Sequence, residues 1–227
     1  MTDGLFVKIC GITSEADALL AVSLGASAVG FIFAPSSRQM TVHLAGDIAK
    51  RLPDHVLTVG VFRDHAPNRV VEAVNFAGLG AAQLHGHEPS EDVQWIRARV
   101  PTVIKAFQAG ERAISRFTEF GADYLLVDGE NPGSGQVFDW RLAEGVADHH
   151  RLILSGGLTP DNVADAVKHL RPAGVDVASG VEAEPGLKDP LRLRDFIVRA
   201  RSAYDEIVAR AAVDDVDGDQ PYDWWDG

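Results

Sequence analysis

The chain has a single cysteine, Cys10, in 227 residues, so it can close no internal disulfide and suits a reducing compartment. It is also short of bases. Lysine and arginine together number 21 against 33 aspartates and glutamates, a formal charge of −12, which disfavours unassisted binding to nucleic acid or to an anionic membrane. No apolar run approaches the roughly 18 residues of a membrane span. Met1-Thr2-Asp3-Gly4 has neither the basic start nor the apolar core of a signal peptide. These absences predict a cytoplasmic protein whose partner is a small molecule, with no nucleic acid and no membrane. What is present is apolar: hydrophobic residues make up 46% of the chain, enough for a sizeable core. The length is generous for an ordinary domain and normal for one α/β barrel.

Short runs with strand character, at 5–10, 27–33, 56–62, 81–84, 102–106, 123–127, 152–154 and 175–177, alternate with helix-period segments. The helical segments lie at 14–24, 42–51, 67–77, 89–98, 111–120, 139–146, 160–169 and 190–204. Ser14 or Thr13 is placed to cap the first helix and Gly25 to stop it. Eight strand–helix units predict a closed parallel (β/α)8 TIM barrel in a single domain over 1–204. An open doubly wound sheet is the rival, but it would leave edges. Residues 205–227 are expected to form an acidic C-terminal extension. Its last part, 213–227, holds six aspartates, no base, and Tyr222, Trp224 and Trp225. Such a segment is either mobile or docked through its aromatics.

Strand parity separates two faces. In the first strand Leu5, Val7 and Ile9 alternate with Phe6, Lys8 and Cys10, and the first set is expected to face the helices. The same reasoning assigns Gln83, His85, Lys105, Asp128 and Asp176 to the barrel interior. An ordinary core would make these positions apolar, so a polar cluster at the barrel top is a candidate site.

Two of these residues end strands. Asp128 terminates the run Tyr124-Leu125-Leu126-Val127 and is followed by the turn-forming Gly129-Glu130-Asn131-Pro132-Gly133. A turn or cap aspartate is the ordinary alternative there, but a carboxyl at an apolar strand end suits a general acid. Cys10 ends the first strand beside Lys8 and Gly11, and the nearby cation is expected to lower its thiol toward a useful base. Two glycine motifs follow the seventh and eighth strands: Leu154-Ser155-Gly156-Gly157-Leu158 and Ala178-Ser179-Gly180-Val181-Glu182. Barrels of this kind grip phosphate in those two loops through backbone N–H groups, which makes Gly156, Gly157, Ser179 and Gly180 candidate phosphate ligands. Arg38, in the loop after the second strand, has a fork that fits a carboxylate. His85 has no second histidine at ligand spacing, so it reads as a positioning residue and no metal is expected. Asp176 fits either a sugar hydroxyl or a structural ion pair.

Taken together, these residues resemble the phosphoribosylanthranilate isomerases of tryptophan biosynthesis. The matching segments are Val7-Lys8-Ile9-Cys10-Gly11-Ile12-Thr13, Gly30-Phe31-Ile32-Phe33, Val59-Gly60-Val61-Phe62, Gln83-Leu84-His85-Gly86, Asp128, Gly133-Ser134-Gly135, Phe138-Asp139-Trp140 and the two glycine motifs. The resemblance covers roughly 5–203 and departs at Gln136, where a lysine is common. It implies an Amadori rearrangement with Asp128 as general acid and Cys10 as general base. It further implies phosphate held near Gly157 and Gly180, and a substrate carboxylate held by Arg38. It implies no metal or organic cofactor, and a monomer or homodimer. A bifunctional sugar isomerase typically carries an aspartate where this chain has Cys10, and a non-catalytic phosphate-binding barrel would have no use for the acid and base.

Overall fold

A computed structural model describes residues 4–129 and 151–217. Eight parallel strands close in sequence order into a barrel: β1 (Phe6–Cys10), β2 (Ala28–Ile32), β3 (Leu57–Phe62), β4 (Ala81–Leu84), β5 (Val103–Gln108), β6 (Tyr124–Asp128), β7 (Leu152–Ser155) and β8 (Gly174–Val177). Closure is direct, because β1 pairs with β8 as well as with β2, with Lys8 opposite Asp176 on one side and Cys10 opposite Gly30 on the other. The helices are α1 (Glu15–Ser23), α2 (Val42–Ala49), α3 (Pro67–Ala77), α4 (Ser90–Arg97), α5 (Val163–Leu170) and α6 (Pro190–Asp217). Local chemistry sets their ends. Ser14 accepts from the Asp17 backbone to cap α1, and Gly78 closes α3 at φ 64°, where a side chain would be strained.

The faces divide as parity predicts in β1. Leu5, Val7 and Ile9 join the shell between strands and helices, with Val74 of α3, Ile96 of α4 and Phe196 of α6. Phe6 instead packs in the lumen with Ala28, Val59, Ile104, Leu126 and Ile153. Lys105 is a correction. Its neighbours Ile104 and Ala106 take the lumen, so Lys105 points outward beneath the β4–α4 loop. There it pairs with Glu88 at 2.9 Å and donates to the carbonyls of Leu84, Gly86 and Ala106.

Three connections differ from their periodicity. The segment after β5 is a 3-10 helix, Arg112–Phe120, kinked at Arg116. Ser115 donates its hydroxyl to the Arg112 carbonyl, a local bond that competes with a regular helix. Helix α5 starts at Val163 rather than 160, because Asn162 binds both the Thr159 N–H and the Gly157 carbonyl and holds a turn ahead of it. Helix α6 continues past Tyr204 to Asp217; Ile207 extends the stripe of Phe196, Ala200 and Ala203 against the core, and Glu206 pairs with Lys168. After β8 come a 3-10 turn, Ser179–Val181, and a small antiparallel hairpin of β9 (Glu182–Glu184) and β10 (Leu187–Lys188). The expected helix at 139–146, most of the glycine loop after Asp128 and residues 218–227 lie outside the described residues. Among the described residues no helix is long and apolar enough to cross a membrane.

Candidate active site

Parallel strands in a closed barrel deliver all their C-terminal ends to one rim. At that rim a cavity of about 150 Å³ is lined by Cys10 of β1, Gln83 and His85 at the end of β4, Asp128 of β6, and Ser155, Gly156, Gly157 and Leu158 after β7. Asp176 of β8, Ser179 and Gly180 complete the polar wall, while Ile32 and Val61 give it an apolar side. Cys10 and Asp128, 118 positions apart in the chain, therefore line the same space.

Cys10 is buried, at 6% exposure, and burial pushes its thiol above the ordinary value; the Lys8 ammonium pulls it down, but less. The expectation that Lys8 lowers the thiol is thus overturned in its net direction: the cation acts with the expected sign, and desolvation outweighs it. Lys8 is fully buried and donates to Asp176 Oδ1 at 2.9 Å. Burial alone would strip its charge, yet the Asp176 carboxylate and the Cys10 sulfur restore it and leave its pKa raised. Asp176 accordingly makes the structural ion pair and lines the cavity as well.

Asp128, also buried, is held by a short chain of contacts. His85 Nε2 lies 3.2 Å from Asp128 Oδ2, and the Gln83 amide Nε2 lies 3.0 Å from His85 Nδ1. An amide nitrogen can only donate, so as placed Nδ1 accepts and Nε2–H donates to the carboxylate. The other end of the amide, Gln83 Oε1, is buried without a partner among the described residues.

The glycine loops meet over this pair. Gly156 (φ 87°) and Gly157 (φ 65°) both adopt the left-handed backbone that favours glycine. A Cβ on Gly156 would stand 2.0 Å from the Gly129 nitrogen, and one on Gly180 would stand 1.9 Å from the Leu158 carbonyl. Backbone cannot yield as a flexible side chain can. Gly180→Ala is therefore expected to force the β7 and β8 loops apart at a cost of roughly 1–3 kcal/mol, lowering Tm by about 2–4 °C for each kcal/mol. A thermal scan with unchanged Tm would contradict that contact.

Arg38, like Lys105, lies outside the cavity lining. It passes over Gly11, whose missing Cβ leaves room for the Arg38 stem, and its Nε and Nη2 grip both oxygens of Glu182 at 2.8 and 2.6 Å. Glu182 also accepts from Lys188, whose ammonium donates to the carbonyls of Cys10 and Ala178 and so ties the hairpin to the ends of β1 and β8. Burial works against the Glu182 charge, but Arg38 and Lys188 together hold its carboxyl below the usual range. Sequence reasoning assigned no role to Glu182 or Lys188. Glu182 falls within a quoted motif, and nothing local to Lys188 marks it.

Comparison with known proteins identifies the family. The family of N-(5'phosphoribosyl)anthranilate (PRA) isomerases matches residues 7–199. N-(5'-phosphoribosyl)anthranilate isomerase of Desulforudis audaxviator (strain MP104C) is 47% identical over 204 residues, covering 87% of this chain and 98% of that protein. The crystal structure of phosphoribosyl anthranilate isomerase from Thermotoga maritima superposes with a TM-score of 0.81 at 42% identity, over 87% of this chain and 99% of the other. A phosphoribosyl anthranilate isomerase in complex with reduced 1-(o-carboxyphenylamino)-1-deoxyribulose 5-phosphate gives a TM-score of 0.78 at 41% identity, with the same coverage. A rim that gathers a thiol, a carboxyl and two glycine loops is thus carried on a barrel of known descent, and the chain belongs to the N-(5'-phosphoribosyl)anthranilate isomerase family.

Proposed function

We propose that the chain converts N-(5'-phosphoribosyl)anthranilate to 1-(o-carboxyphenylamino)-1-deoxyribulose 5-phosphate in tryptophan biosynthesis, with Asp128 as general acid and Cys10 as general base. The observation that carries the assignment is that these two residues end β1 and β6 and line one cavity with the β7 and β8 glycine loops. Asp128 protonates the furanose ring oxygen, and the ring opens to a Schiff base. Cys10, as thiolate, takes the proton from C2′; the electrons of that bond form the C1′=C2′ bond of an enolamine, and the iminium nitrogen recovers its pair. Tautomerisation gives the ketone. Each proton transfer of this kind typically contributes ~10²–10⁴-fold.

Binding fixes the sugar between them. The phosphate sits against Gly156, Gly157, Ser179 and Gly180, which line the cavity and where glycine lets the backbone approach its oxygens. Asp176 stands on the ribose side of the cavity, and His85 holds Asp128 in place. Arg38 receives the anthranilate carboxylate on the guanidinium edge that Glu182 leaves open, since five N–H donors exceed the two that the pair uses. Arg38→Ala is expected to weaken substrate binding through the carboxylate. Inhibition constants for a carboxylated and a carboxyl-free product analogue check this: equal losses for both ligands would remove the role.

Product identity tests the function itself. Purified protein incubated with N-(5'-phosphoribosyl)anthranilate should yield the ketose phosphate by mass spectrometry and chromatography. Unchanged substrate would leave a phosphate-binding barrel without this activity.

A further inference from the structure

One buried charge has no part in the chemistry above. Lys8 lies in the barrel lumen with no exposed surface, two residues before Cys10 on the same face of β1, where an ammonium is expensive to bury. A buried ion pair often contributes little to stability compared with apolar residues of the same size, so stability alone is a poor reason for Lys8 and Asp176 to occupy the lumen. Their surroundings suggest another. Gly30 stands opposite Cys10 on β2, and a Cβ built there would be 3.0 Å from Cys10 Sγ and equally 3.0 Å from Lys8 Nζ. The bare backbone of β2 leaves a space that ammonium and sulfur both border.

We propose that Lys8 is a positioning residue for the reaction: its ammonium, shared between the Asp176 carboxylate and the Cys10 sulfur, stabilises the thiolate that removes the substrate proton. The inference rests on Cys10 being the base. When the S–H bond forms and the C2′–H bond breaks, the sulfur loses its charge, and Lys8 keeps Asp176 as its partner, so no cation is stranded in the lumen. The other charged groups facing the sulfur are accounted for. Lys188 of β10 reaches the Cys10 carbonyl and Glu182, and Arg38 is committed along one edge to Glu182. Asp128 and His85 form the far side of the same cavity. Asp176 opposes the thiolate and Lys8 favours it, which is the sign each has on the thiol.

That opposition makes the test directional. Either single variant leaves one member of the buried pair without its partner, so the principal variant is Lys8→Met/Asp176→Asn, which removes both charges, with Asp176→Asn read beside it. Because Cys10 is the sole cysteine, ¹³Cβ-cysteine labelling gives one resonance whose shift titrates with the thiol in substrate-free protein. Asp176→Asn should lower the titration midpoint and the double variant should raise it, since Lys8 acts on the thiol more strongly than Asp176 does, and the double variant should lose kcat at neutral pH. A folded double variant whose midpoint matches the wild type would overturn the proposal and leave Lys8 a structural residue. Midpoints that move as expected while Cys10→Ser keeps full turnover would overturn it differently, by removing the base on which Lys8 acts.

Discussion

Asp128→Asn is expected to lower kcat by roughly 10²–10⁴-fold while the barrel stays folded. The asparagine has nearly the same shape and can still turn an oxygen toward His85 Nε2–H, so the contact that orients residue 128 survives. It cannot deliver a proton to the furanose oxygen, and the ring then opens only as fast as water or another group protonates it. KM should change little, because the phosphate loops and Arg38 are untouched. Steady-state kinetics beside a thermal scan separate the two effects: lost kcat with unchanged Tm assigns the proton to Asp128, whereas a parallel fall in Tm would make it a structural residue.

Cys10→Ser should be comparably damaging from the other side of the cavity. Serine keeps the buried, nearly isosteric position at the end of β1, and the Lys8–Asp176 pair beneath it remains intact. Its hydroxyl, however, is a far weaker acid than a thiol near ~8.5, so the anionic base is essentially absent at neutral pH. A loss of kcat of roughly 10²-fold or more is expected, with Cys10→Ala no better. Burial already holds the native thiol above its ordinary value, against the pull of Lys8.

Much of this was written in the chain order. Cys10 and Asp128 stand out because each ends an apolar run and starts a turn, and eight alternating units leave few folds that gather such ends. The paired glycine motifs are informative for a steric reason that the structure makes explicit: at Gly156 and Gly180 a Cβ would strike neighbouring backbone. Lys105 shows where local pattern fails. Inward or outward facing depends on register against β4 and β6, and with Ile104 and Ala106 taking the lumen, Lys105 has to turn to Glu88. The thiol's direction was misjudged because the sequence places Lys8 near Cys10 but does not report how dry the site is. The Glu182–Lys188 clamp on Arg38 was beyond reach for a related reason: Arg38 and Glu182 are separated by 144 positions, and only the closed barrel brings the β2 loop to the β8 hairpin.

The most direct test follows the fluorescence of N-(5'-phosphoribosyl)anthranilate in single turnovers with wild-type, Asp128→Asn and Cys10→Ala proteins. Rapid decay with the wild type, slowed by roughly 10²-fold or more in each variant, is the predicted result. Decay at the wild-type rate in either variant would contradict the pairing of Cys10 and Asp128 as base and acid.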